Sequence, residues 1–181
     1  MKKISAFTVA ILFAVCGIMA QNNGGHNCGN CPNHGKHGQH QHQAQQPQVN
    51  ADGIDMVVVA AFPTVKSVQK ESKWTKVLDK DGKLLGYAVY SKPASDGIKG
   101  YNGETPVMIA LNAKKKITGV YALPNSETPK FAKRVADAGF YNNWNGLSIK
   151  KALKKKVDTV SGCTFTSRSV MQSVQAALAT L

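Results

Sequence analysis

Trp74-Thr75-Lys76-Val77-Leu78-Asp79-Lys80-Asp81-Gly82-Lys83-Leu84-Leu85-Gly86-Tyr87-Ala88-Val89-Tyr90 holds two strand-like runs, 74–78 and 83–90, on either side of an Asp-Gly turn signal. β-Branched and aromatic residues suit a pleated, half-buried surface, and Asp-Gly supplies the backbone a tight hairpin needs. The stretch is read as a β-hairpin. Two more strand-like runs, 106–111 and 117–123, repeat the pattern around Asn112 to Lys116.

Helices are expected on both sides of these strands. Upstream, Ile54 to Phe62 is apolar, of helical length and ended by Pro63. Downstream, Phe131 to Ala138 reads as a helix stopped by Gly139, and the lysines 150–156 fall on a short helix before Asp158. In the last segment, Thr166 to Leu181, the residues Val170, Val174, Ala177, Leu178 and Leu181 have the spacing of one helix face. The order helix, strands, helices predicts a single α+β domain over residues 51–181, with a small antiparallel sheet flanked by helices.

The chain begins Lys2-Lys3, then runs apolar from Ile4 to Met19, and turns polar after Ala20. That is the layout of a secretory signal peptide over residues 1–20, so an extracytoplasmic location, periplasmic or cell-surface, is expected. Lipid anchoring at Cys16 is the competing reading, disfavoured because Val15 is too large for a lipoprotein cleavage site. Residues 21–50 are Asn, Gly, His and Gln without apolar period, and are read as a disordered arm.

Of 181 residues, 23 are Lys or Arg and 10 are Asp or Glu; loss of Lys2 and Lys3 with the leader leaves 21 against 10, a formal +11. The excess is diffuse, concentrated at Lys114-Lys115-Lys116 and in Lys150-Lys151 with Lys154-Lys155-Lys156. It suits a solvated basic face or a dock for an acidic protein or anionic headgroups. Export and the lack of interleaved aromatics argue against nucleic acid.

Chemistry concentrates in Asp158-Thr159-Val160-Ser161-Gly162-Cys163-Thr164-Phe165-Thr166-Ser167, ahead of the final helix. Gly162 permits a tight or positive-φ backbone, and Ser161, Thr164, Thr166 and Ser167 gather hydroxyls at a helix start, where free N–H groups and the helix dipole favour a phosphate. By composition alone the same hydroxyls serve as helix caps, with Thr166 or Ser167 at the N-cap contributing about 1 kcal/mol.

The segment resembles the flavinylation motif of the FMN-binding domain family, found in the C and G subunits of the sodium-pumping NADH:quinone reductase and Rnf electron-transport complexes and in free-standing exported proteins. The motif is Asp, two residues, Ser or Thr, Gly, Ala, then a Ser or Thr modified with FMN. Asp158, Ser161, Gly162, Cys163 and Thr164 stand at these positions. Ser126-Glu127-Thr128-Pro129 is similar to the family's Glu-Thr-Pro turn, Gly100-Tyr101-Asn102-Gly103 to its Gly-Tyr-x-Gly entry, and Trp144-Asn145-Gly146 also falls at a familiar place. Cys163 replaces the usual Ala, and Lys130-Phe131-Ala132 replaces Gly-Leu-Gly, placing a charge and a ring near the expected isoalloxazine edge.

The resemblance implies that a separate flavin transferase, using FAD, joins FMN to the Thr164 hydroxyl through a phosphoester. This chain is then a substrate and an electron carrier rather than a catalyst. Asp158 and Gly162 are implied as recognition determinants, and Glu127 and Thr128 as polar contacts to the flavin. The implied partners are a membrane electron-transport donor and an unidentified extracytoplasmic acceptor. A dissociable cofactor would be diluted away outside the cell, whereas a covalent one stays.

In the arm, Cys28-Gly29-Asn30-Cys31 is flanked by His26, His34, His37, His40 and His42. Thiolates and imidazoles at these spacings suit Zn²⁺ or copper, with Cys28, Cys31, His26 and His34 as the candidate set; a disulfide between the two cysteines and thiol redox exchange remain open beside it. The alternative function is therefore an exported metal-binding protein that works through its arm.

Overall fold

The computed structural model describes residues 49–181, so the leader, the Cys16 reading and the Cys/His arm up to position 48 lie outside the described residues. Helix α1 (Met56–Ala61) leads into five strands: β1 (Ser67–Lys70), β2 (Thr75–Leu78), β3 (Leu84–Tyr90), β4 (Val107–Asn112) and β5 (Ile117–Ala122). Then come α2 (Pro129–Asp137), a 3₁₀ turn (Phe140–Trp144), α3 (Ile149–Leu153) and α4 (Thr164–Ala179). The strands pair antiparallel in chain order, β1-β2-β3-β4-β5. The α+β architecture is as expected.

Turn chemistry sets the register. In the first hairpin the Asp79 carboxylate accepts from the N–H groups of Asp81 and Lys83, and in the β4–β5 turn the Asn112 side chain accepts from Lys114 and Lys116. With no glycine in that second turn, Lys115 itself takes φ 57°, and its ammonium sits 4.1 Å over the Trp74 ring.

Period-two alternation then sorts side chains between the faces of the sheet. From β4, Val107, Ile109 and Leu111 join a core with Val170, Val174, Ala177 and Leu178 of α4, Val135 of α2 and the 3₁₀-turn residues Phe140 and Trp144. Met108 and Ala110 face the other way, against Val58 of α1 with Ile54, Phe62 and Val65. The central strands are therefore covered on both faces, which explains their unbroken apolar runs.

Two expectations are corrected here. Strand β1 was not foreseen: all four of its residues are exposed, and it exists through pairing with β2, Ser67 opposite Leu78 and Lys70 opposite Thr75. Helix α4 begins at Thr164, two residues before the expected start, with Cys163 at its N-cap, so neither Thr166 nor Ser167 caps it.

Candidate functional site

Cys163 is 4% exposed and packs in the core shared by the sheet and α4, which anchors the helix start from below. Thr164, the first helical residue, is consequently turned outward and is exposed. A small apolar residue is needed before it, and cysteine meets that need as alanine would. The loop ahead is closed by two hydrogen bonds, Cys163 N–H to the Val160 carbonyl at 2.9 Å and Val160 N–H to Ser167 Oγ at 3.1 Å. Ser167 is fully buried, so its hydroxyl ties this loop to the helix rather than facing a ligand.

Gly162 takes φ 73°, a left-handed conformation that side chains resist. A Cβ there would also lie 3.3 Å from Nη1 of Arg134, so the guanidinium from α2 rests against this loop. Ser161, Gly162 and Asp158 are exposed. The Cys163 side chain makes no capping hydrogen bond, so the cap offers no side-chain acceptor to the first-turn N–H groups of α4.

Behind this surface lies a buried polar cluster. Glu127 is 5% exposed, and its carboxylate accepts from the N–H groups of Tyr101 at 2.7 Å, Asn102 at 3.0 Å and Thr128 at 2.7 Å, and from the Thr166 hydroxyl at 3.3 Å. Hydrogen bonds of this kind to a carboxylate contribute about 1.5–3 kcal/mol each and offset its burial. One side chain thus joins the 100–103 loop, the 126–129 turn and the third residue of α4. The Ser169 hydroxyl extends the cluster, 2.7 Å from Thr105 Oγ1 and 3.0 Å from the Thr166 carbonyl to which it donates.

The glycines of the 100–103 loop follow from that packing. A Cβ on Gly100 would stand 1.9 Å from Glu127 Oε2, and one on Gly103 would stand 2.2 Å from Ser126 Oγ. The loop also presents Tyr101, 64% exposed, with its ring edge-on to Phe131 at 5.0 Å. Phe165, equally exposed, follows Thr164 directly.

The structure therefore brings the 158–167 segment, the 126–129 turn and the 100–103 loop to one place, as three motifs more than twenty residues apart in the chain. Glu127, expected to meet a flavin, is engaged by protein donors. Thr128 is half-buried at the N-cap of α2, and its own side chain makes no capping bond. Thr105, Ser169 and Arg134 were missed by sequence reasoning. Hydroxyls recurring on the apolar face of α4, at Thr166, Ser169 and Ser173, were the available signal for the first two. Trp144 is wholly buried and serves the core. Among the described residues no group of Cys, His, Asp and Glu is arranged to hold a metal, and no helix is long and apolar enough to cross a membrane.

The first-turn N–H groups of α4, which no side chain caps, and the Arg134 guanidinium at Gly162 are the donors here that suit a phosphate group. Residues 100–179 match the family model of the FMN-binding domain, which bears out the resemblance read from the three motifs. The G subunit of the ion-translocating oxidoreductase complex from Haemophilus influenzae (strain PittEE) is 36% identical over 108 residues, 53% of this chain and 50% of that protein. Its counterpart from Shewanella piezotolerans is 29% identical over 93 residues, 45% of this chain and 43% of that one. The chain thus spans no more than half the length of these relatives. The crystal structure of Shewanella oneidensis NqrC is 24% identical, with a TM-score of 0.42, covering 71% of this chain and 70% of that one.

Proposed function

Taking residues 100–179 as an FMN-binding domain, we propose that the protein is an exported electron carrier whose FMN is held by a phosphoester to Thr164, installed by a separate flavin transferase. The observation that carries this reading is the outward Thr164 hydroxyl at the start of α4, fixed there by the buried Cys163. In the attachment the Thr164 oxygen bonds to the FMN phosphorus of FAD, the pyrophosphate linkage breaks, and AMP leaves. Exposed Asp158, Ser161 and Gly162 present the segment to the transferase. Donor and acceptor are a membrane electron-transport complex and an extracytoplasmic protein, a reading supported by the complexes named for the relatives.

Bound FMN supplies reversible one- and two-electron chemistry; the protein supplies its setting. Thr164 tethers the phosphate end. Tyr101, Phe131 and Phe165 offer aromatic surface beside it, and Thr128 a free hydroxyl. Glu127 acts from beneath, holding the 100–103 loop and the α4 start at one spacing. Such preorganisation lowers the cost of ordering a flavin against the surface.

Co-production of the chain with a flavin transferase tests the proposal. Thr164→Val is expected to be colourless after purification, and Thr164→Ser to remain yellow. Flavin retained at wild-type level by Thr164→Val through denaturation would sink the covalent reading.

A further inference from the structure

Two arginines lie close to the start of α4, and among the described residues neither is ion-paired. Arg134 reaches from the last turn of α2 to Gly162, two residues ahead of Thr164, with Nη1 3.3 Å from where a Cβ on Gly162 would be. The one acid on α2, Asp137, is taken by Lys133, whose ammonium lies 2.7 Å from Oδ2. Arg168 follows Thr164 by one turn of α4 and is exposed. Residues four apart share a helix face, and helical side chains lean toward the N-terminus, so Arg168 leans back toward Thr164. Among the described residues, every ion pair uses lysine, and none involves either arginine.

Both arginines are exposed and, among the described residues, without a carboxylate partner, so their guanidinium groups are open to an anion. Gly162 is exposed, so Arg134 covers no core by lying there. A phosphodiester carries one negative charge on two non-bridging oxygens, and the planar fork of arginine matches such a pair of acceptors better than a lysine does.

We propose that Arg134 and Arg168 form an anion clamp for the phosphodiester at Thr164, Arg134 closing on it from α2 and Arg168 from α4. The proposal rests on covalent attachment at Thr164. It adds that the phosphate is gripped as well as tethered, which restricts the flavin's linker. A side chain at Gly162, already disfavoured by its left-handed φ, would also crowd the guanidinium.

Phosphorus-31 NMR of the full flavinylated chain reads the clamp directly. Arg134→Gln and Arg168→Gln are each expected to move the phosphodiester resonance, and Lys80→Gln, in the exposed turn between β2 and β3, to leave it in place. Flavinylated wild type is expected to melt several degrees above the unmodified chain, an increment that Arg134→Gln reduces while the unmodified variant melts with unmodified wild type. Should Arg134→Gln fail to fold, Arg134→Lys keeps the charge without the fork and is expected to give an intermediate resonance shift. Resonances unchanged in both arginine variants, with full melting increments, would overturn the proposal. A wild-type chain with neither a phosphorus signal nor an added mass on Thr164 would withdraw the covalent reading itself, and the clamp with it.

Discussion

Met108 and Glu127 are buried to nearly the same degree, 0% and 5% exposed, in regions that meet the demands of burial by opposite means. Around Met108, on the α1 face of the sheet, the buried residues are Ile54, Val58, Phe62, Val65, Val77, Ala88 and Ala110, all apolar. Their stabilisation is non-directional and scales with area. Around Glu127 the buried groups are Thr105, Thr166 and Ser169, joined by directed hydrogen bonds. Such a cluster stabilises little on balance, because water would satisfy the same groups in the unfolded chain. What it does provide is fixed geometry among three chain segments. The α1 face supplies stability, and the Glu127 cluster holds the site in shape.

Substitutions can break that contrast. Met108→Ala is expected to cost about 2–5 kcal/mol, through lost burial and the cavity left behind. Denaturant titration measures this loss, and the folded fraction should still accept flavin at wild-type yield. A fall in yield per folded molecule would mean that the two regions are coupled. Glu127→Gln is expected to cost less, about 1.5–3 kcal/mol, because an amide nitrogen now faces N–H donors. Its flavin yield per folded molecule should nevertheless fall severalfold. Full yield in that variant would reduce the cluster to ordinary packing.

The smallest effect lies at the rim. Lys92 holds the Glu104 carboxyl below its ordinary range, with the Gly97 N–H assisting. A depressed carboxyl pKa stabilises the fold above the ordinary range, and the contribution fades as pH falls through the lower folded value. Lys92 is exposed and Glu104 only half-buried, so screening keeps the pair weak. Glu104→Gln should lower the melting temperature slightly at neutral pH and not at strongly acidic pH; an equal loss at both would deny the ion pair any part in it.

Legibility followed the same division. Strands β2 to β5 and helices α1 to α4 were visible because burial writes itself into apolar spacing and turn residues. Strand β1 was not, since an exposed edge with no apolar face has only its partner to define it. The start of α4 was misplaced because Cys163 caps by position and burial, without the side-chain bond that marks a cap in sequence. The candidate residues Asp158, Ser161, Gly162, Cys163 and Thr164 stood out as a motif, yet the burial of Glu127 did not: its donors at Tyr101 and Asn102 lie about 25 positions away. Arg134 is 28 residues from Gly162 in the chain, and only the packing of α2 against the start of α4 brings them together.

Attachment of the cofactor at Thr164 is tested most directly by mass. The full chain should be produced with an active flavin transferase, denatured, weighed intact and digested. The expected result is a gain of one FMN less one water, confined to the peptide containing Thr164. An unmodified mass, with the same transferase active on a control substrate, would contradict it.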